Sequence, residues 1–295
     1  MFEDLLHMCQ HVGNENDLIR MKAGLADAYF ELGKLDEAEK LEREVLGFRR
    51  QNLGEANPET ITAMQTLSIT LQRKGAWSDA LLMQSTTVLK ILKARFGTDN
   101  LETARAMSQV AFTLKLTGEK KQAEDLYKLV LETKRRHLPR KHPDLIMAVK
   151  NYANAAQDQG WTKEAEVMLR QALEDCVLVL GEKHPDTIMA RNDLGCTSLI
   201  GGELDVAVQL LRTSLEQNEE VWGHKHNNTI VVRTNLAQAL HRQGKKAEAA
   251  RLQRKAWEDC RSVFGDKHYF TIQLAEGLTI LEAVDFTVEK KEKGV

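Results

Sequence analysis

Cys196, His241 and Asn192 imitate the Cys-His-Asn set of a thiol nucleophile. That chemistry needs an imidazole within hydrogen-bond reach of the sulfur, together with donors for an oxyanion. Asn192 falls one helical turn before Cys196, and His241 falls on the neighbouring helix of the same face. Nothing in the sequence supplies the oxyanion donors, so the three read as ordinary side chains of a helical face. Four histidines, His142, His184, His226 and His268, recur 42 residues apart. Zinc ligands must converge to about 2 Å from one ion. A strict chain interval keeps equivalent atoms farther apart than that, so these histidines read as loop and helix-cap residues. No metal or cofactor is expected. The run Lys134-Arg-Arg-His-Leu-Pro-Arg-Lys-His142 is the one strong basic cluster. Most of it closes a helix, where cations favour the negative terminus; a docking patch for an acidic partner is the other reading.

The bulk composition narrows the field. A formal net charge of −2 over 295 residues argues against a nucleic-acid partner, for which a basic domain is expected. Hydrophobic residues at 42% suffice for a continuous buried seam, and 28% charged residues suit a surface-rich helical protein. Cys9, Cys176, Cys196 and Cys260 form no Cys-x-x-Cys pair. They read as small packing residues of a reduced, cytoplasmic protein. No segment reaches the roughly 18 apolar residues of a membrane span, so no membrane partner is expected. Met1–Val12 is amphipathic without a basic flank and does not read as a signal peptide.

The elements that must position these residues are set by a repeat. Gly33, Gly75, Gly118, Gly160, Gly202 and Gly244 are spaced 42, 43, 42, 42 and 42 apart. Five residues after each stands an alanine: Ala38, Ala80, Ala123, Ala165, Ala207 and Ala249. A fixed period of this length marks a stacked array of helical hairpins. Linkers such as Gly181-Glu-Lys-His-Pro-Asp-Thr187 separate the units, and Pro139 replaces the glycine in one copy. Asn57 and Asn100 sit where an N-cap belongs, with Pro58, Pro143 and Pro185 at first helical positions. Helix A then runs to the ruler glycine, which turns the hairpin. Eight residues before that glycine an apolar residue recurs (Leu25, Leu67, Val110, Tyr152, Leu194, Leu236), and the next residue is always small. Helix B carries the echo alanine, an apolar residue three further on (Leu41, Met83, Leu126, Met168, Leu210, Leu252) and another five beyond that. These offsets draw one apolar stripe.

The expected architecture is all-α, an α-solenoid of about 14 helices: one, then six pairs, then one. Residues 1–13 read as an N-terminal half repeat or capping helix, from Phe2 to Val12. Six units follow at 14–54, 55–97, 98–139, 140–181, 182–223 and 224–265, then a C-terminal capping helix at 269–285. The charged residues 286–295 read as a disordered tail. The 43-residue step reads as a one-residue loosening between Ala80 and Phe96. The half repeats leave two options open, capping helices or a module cut from a longer array.

A small residue at position 8 of the unit, glycine at 15 and alanine at 20 resemble the tetratricopeptide repeat. The long unit with its Gly-x-x-His-Pro-x-Thr linker is similar to the kinesin-light-chain type, and to sensor arrays of nucleotide-binding STAND proteins. No heptad coiled coil and no Gly-x-x-x-x-Gly-Lys-Ser/Thr loop accompanies it. The resemblance implies a right-handed superhelix whose A helices line a concave face. It places Ile69, Arg73, Arg105, Phe112, Lys150, Asn151, Asn154, Asn192, Asn235, Gln238 and Arg242 on that face. The implied groove is apolar toward Phe112 and rich in carboxamides toward Gln238; carboxamides both donate to and accept from an extended peptide. Solvated helix residues are the plainer reading. A carboxylate clamp, as in relatives that bind chaperone tails, would use Lys150 and Asn154. It meets Asp193 where an asparagine is needed, and an acid repels a C-terminal carboxylate. The expected function is a non-enzymatic scaffold holding a peptide segment of a protein partner. The alternatives are a ligand-sensing module of a larger STAND-type protein, an enzyme or small-molecule binder in the same groove, and weak self-association through open helix ends.

Overall fold

The structure is a computed structural model and describes residues 14–83, 88–266 and 268–292. Every regular element among these residues is a helix. The first hairpin is α1 (Glu15–Glu31) and α2 (Leu35–Leu53). The second is α3 (Pro58–Arg73) with α4 (Trp77–Leu82) and α5 (Leu89–Phe96). The third is α6 (Leu101–Leu116) with α7 (Lys120–His137), and the fourth α8 (Pro143–Asp158) with α9 (Thr162–Leu180). The fifth is α10 (Pro185–Gly201) with α11 (Leu204–Trp222), and the sixth α12 (Asn227–Arg242) with α13 (Lys246–Phe264). α14 spans Tyr269–Glu292. Fourteen described helices match the expected number by a different partition. The second helix B is described in two pieces, and the expected first helix, 2–12, lies outside the described residues.

The chain forms two compact units, one ending at His137 and one beginning at Leu138. Within each, an A helix packs on its own B helix and that B helix on the next A helix. In the second unit α8 also touches α10, and α10 touches α12, so consecutive A helices lie side by side.

Each hairpin closes in the same way. At Gly202 (φ 89°, ψ 4°) the chain turns left-handed, and the Glu203 N–H donates back to the Ser198 carbonyl at 2.9 Å. That six-to-one bond satisfies a carbonyl the helix end would orphan. The glycines between units do something else. Gly181 has φ 90° and ψ 164°, an extended left-handed conformation that is essentially glycine-only, and not the compact left-handed turn.

The six echo alanines are all fully buried, where B meets A. The helices approach closely in the fifth hairpin, where a Cβ added to Gly195 would meet Leu211 Cγ at 2.8 Å. The centre of the buried stripe on helix B is four residues after the alanine, not three. Tyr127, Leu169, Leu211 and Gln253 are buried there, while Leu126, Met168, Leu210 and Leu252 are only half-buried. In the first hairpin that central place is held by Glu42, 4% exposed.

A second buried polar motif repeats in the later hairpins. Arg191 and Arg233 occupy equivalent A-helix positions, and both are buried against helix B. Arg191 donates to Gln217 and Glu182. Arg233 donates to Asp259 at 2.7 Å, to Glu219 at 2.8 Å and to the His224 carbonyl at 3.2 Å.

Met83 and Val88 sit in wide π-type turns. A π-type turn accommodates one extra residue in an α-helix, and both positions lie within the stretch where the 43-residue step falls. The chain end also departs from expectation: α14 continues to Glu292, past the 285 boundary and into the stretch read as disordered tail. Val288-Glu-Lys-Lys-Glu292 is mostly strong helix formers, which favours a helix there.

Candidate functional site

The repeat histidines are helix caps. Nδ1 of His142, His184, His226 and His268 accepts the N–H two residues on, at 3.1, 3.2, 3.2 and 3.3 Å. Asn57 and Asn100 make the same bond through Oδ1, at 2.9 and 2.8 Å. An accepting Nδ1 places the neutral imidazole's proton on Nε2. Trp222 stacks on His226 with 5.4 Å between ring centroids, and loss of water there lowers the His226 pKa from its ordinary value. Among the described residues, no three of His, Cys, Asp and Glu gather as a metal ion would need.

Cys196 is no poised nucleophile. Burial, with the Asp193 charge beside it, pushes its thiol up to about 12. Its nearest polar partner is Asn192 Oδ1 at 4.0 Å. His241 Nδ1 is buried with no hydrogen-bond partner among the described residues, so nothing orients that ring as a base.

The helix-A face of the first unit carries Ile69 and Phe112, 39% and 45% exposed, with Leu116 near Phe112. Arg73 lies over the Phe30 ring at 4.1 Å and donates to the Phe30 carbonyl at 3.4 Å. Arg105 is exposed, with Glu102 at 3.7 Å. Gln72 donates to Thr113 at 2.7 Å, joining α3 to α6.

In the second unit Met189, Ile200 and Val231 are exposed on A helices, with exposed Gln238 among them. The carboxamides form a ladder between helices. Asn154 donates to Asp193 at 3.1 Å, and Asn235 donates to Asn192 at 2.9 Å. Gln157 accepts from Thr197 in a bond equivalent to that between Gln72 and Thr113. Asn151 is half-buried. Arg242 donates to the Leu199 carbonyl at 2.7 Å. It repeats what Arg73 does at Phe30: a cation one repeat on caps the carbonyl end of the preceding A helix. Lys150 is 3% exposed, with Nζ 3.6 Å from Asp193 Oδ2. Both residues a carboxylate clamp would use are thus turned onto the chain's own carboxylate.

The basic run is also held internally where it closes α7. Arg136 and His137 reach Asp99, at 3.0 and 3.2 Å.

The residue that sequence reasoning missed is Glu42. It borders a cavity of about 200 Å³ between α1, α2 and α3, with Ala23, Asp27, Arg49, Thr62 and Thr66 in its walls. Thr70 donates to Glu42 Oε1 at 2.8 Å, while Oε2 is buried without a hydrogen-bond partner among the described residues. Burial pushes the carboxyl up to about 7. The signal was present: an acid at the helix-B position where the third, fourth and fifth hairpins bury Tyr127, Leu169 and Leu211.

Comparison with known proteins follows from this geometry. Profiles described as tetratricopeptide repeat match residues 17–87, 103–144, 144–220 and 229–269. A search of curated proteins returned no match. Among solved structures, kinesin light chain TPR-like repeats from Podosopora anserina align at 20% identity over 69% of this chain and 96% of that one, TM-score 0.57. A Rap protein complexed with Competence and Sporulation Factor aligns at 13% identity over 96% of this chain and 79% of that one, TM-score 0.65. A STAND protein with a tetratricopeptide repeat sensor, from Pyrococcus horikoshii, aligns at 13% identity over 95% of this chain, TM-score 0.61; this chain spans 42% of it. At these identities the likeness concerns the fold. No helix among the described residues is long and apolar enough to cross a membrane.

Proposed function

The chain belongs to the tetratricopeptide-repeat family, and from that premise we propose that it is a non-enzymatic interaction module holding a peptide segment of a protein partner on its helix-A faces. One observation carries the reading: large apolar side chains stand exposed on consecutive A helices, Ile69 and Phe112 in one unit, Met189, Ile200 and Val231 in the other. Scattered exposed apolar residues are ordinary, but a row on one repeated face is a binding surface in waiting. The amide ladder changes how the face would work. Asn154, Asn192 and Asn235 each spend a bond on the neighbouring helix. Their remaining donors and acceptors are held still, which lowers the ordering cost of binding a peptide backbone. The sensor reading, a repeat module within a larger signalling protein, is supported by the overlay on the STAND sensor. A cytoplasmic setting fits the free thiols of Cys176, Cys196 and Cys260, none of them in a disulfide among the described residues.

The test is Phe112→Ala with Ile69→Ala against Met189→Ala with Val231→Ala, in affinity capture followed by direct titration of the captured partner's peptide. Each pair is expected to weaken binding at least tenfold with the melting curve unchanged. Full-strength binding by both variants removes the helix-A faces as the site.

A further inference from the structure

We propose that the cavity walled by α1, α2 and α3 is a subsite for a basic side chain, the ammonium of a lysine or the guanidinium of an arginine in the bound peptide. The proposal rests on the helix-A reading above and names a chemistry for one end of it. The floor is Glu42, 4% exposed, with Oε1 held by the Thr70 hydroxyl at 2.8 Å and Oε2 without a hydrogen-bond partner among the described residues. A buried acceptor without a donor is costly, and a cation entering this cavity would supply the donor. The wall toward solvent carries Asp27, which is exposed. A second hollow of about 200 Å³ shares Asp27 and Thr66 with the first and adds Phe30, Glu31 and Ile69. Between the apolar contact at Ile69 and the buried carboxyl the two hollows present two further acids, Asp27 and Glu31. Alanines and threonines make up most of the remaining wall of the inner cavity. They suit the methylene stem of a long cation, whose head alone needs a polar partner.

The acids nearest Glu42 agree with this sign. From α1 comes Asp27 and from α2 Glu39, both of which disfavour a second negative charge on Glu42 after burial itself. Glu39 is neutralised by Lys74 and Arg43. Arg49, the cation in the cavity wall, faces α3, where it donates to the Glu59 carbonyl at 3.0 Å and lies 3.7 Å from the Glu59 carboxylate. α3 otherwise offers hydroxyls. An entering cation would convert Glu42 from a carboxyl shared with its proton into a carboxylate. Binding then releases a proton: apparent affinity falls by up to about tenfold per pH unit below about 7 and levels off above it.

The probes are N-acetyl-lysine methylamide, N-acetyl-arginine methylamide and N-acetyl-norleucine methylamide, titrated into the full chain while the Ala23, Ala63 and Thr66 methyl resonances are followed. The expected result is saturable shifts with one or both cations and none with norleucine, lost at least tenfold in Glu42→Gln. The glutamine still accepts from Thr70, so the fold is kept, and Asp27→Asn at the exposed rim gives a second, milder loss. Norleucine binding as well as lysine, cation binding untouched by Glu42→Gln, or affinity flat between pH 6 and 8 would each overturn the proposal. A partner peptide lost with Ile69→Ala but indifferent to Glu42→Gln also removes the cation subsite, and it leaves the helix-A reading standing. Glu42-dependent cation binding by a chain whose helix-A variants capture partners at full strength supports the subsite and removes that reading instead.

Discussion

Replacing His226 should expose how much of each repeat's stability rests on one imidazole nitrogen. Its Nδ1 accepts the Asn228 N–H at 3.2 Å and opens α12. Losing a side-chain N-cap costs about 1 kcal/mol. That is about a fivefold rise in the local opening equilibrium. His226→Ala should therefore lower protection of the Thr229, Ile230 and Val231 amides about fivefold at pH 8. His226→Asn should keep it within a few tenths of a kcal/mol, because Asn57 and Asn100 cap their helices through the same bond. Acid separates the two further. Stacking under Trp222 strips water from the imidazole, so the folded chain holds it neutral to lower pH than the unfolded chain, whose value is 6.5. The cap is whole above 6.5 and is lost as pH falls through the depressed folded value. Across that window the unfolded state binds more protons, so stability rises with pH. Below it the imidazolium has no acceptor at Nδ1 and sets a positive charge against the positive end of α12. Hydrogen exchange at pH 5 and 8, corrected for intrinsic rates, reads this directly. Unchanged protection in His226→Ala, or equal acid losses in wild type and His226→Asn, would refute the reasoning.

Two further outcomes follow from buried polar groups. Arg233→Met leaves Asp259, 3% exposed at its side chain, with Lys255 at 3.0 Å in place of the buried guanidinium, and should cost about 2 kcal/mol; adding Asp259→Leu should recover most of it, which denaturant unfolding of the single and double variants will show. Glu42→Leu should raise stability by about 1 to 3 kcal/mol, since it removes an unpaired buried acceptor and installs the residue that Leu169 and Leu211 represent in later hairpins. An unchanged or lowered midpoint would show that Glu42 is already satisfied.

The sequence made the hairpin plan readable because its markers answer to backbone geometry. A ruler glycine must turn left-handed, and an echo alanine must leave room for a neighbouring helix. Those demands recur in every copy, so Gly202 and Ala207 are visible without coordinates. What stayed hidden depends on phase and on pairing between helices. The apolar residue three after the alanine is the more regular in type, yet the buried centre lies one residue on. That centre tolerates Glu42 and Gln253, which apolar counting passes over. Likewise Asn154, Asn192 and Asn235 could be placed on a face, but not as partners of one another or of Asp193, because a hydrogen bond across repeats leaves no mark at a fixed spacing. The histidines lay between these cases. Their period marked them as loop and cap residues, and the 3.1–3.3 Å bonds supplied the atom, Nδ1, that does an asparagine's work.

The wide turns at Met83 and Val88 bear on how such a chain can change length. One residue added to a regular helix rotates everything after it by about 100°, which would swing a buried stripe into solvent. A π-type turn absorbs the surplus where it arises. The residues that follow keep their phase: Val88, Leu89 and Leu92 are buried, and α6 still presents Val110 and Ala111 inward and Phe112 outward. An insertion of this kind is a local hernia, not a frame error, so a lineage can gain or lose residues inside one hairpin while the side chains offered to a partner by the next stay in place.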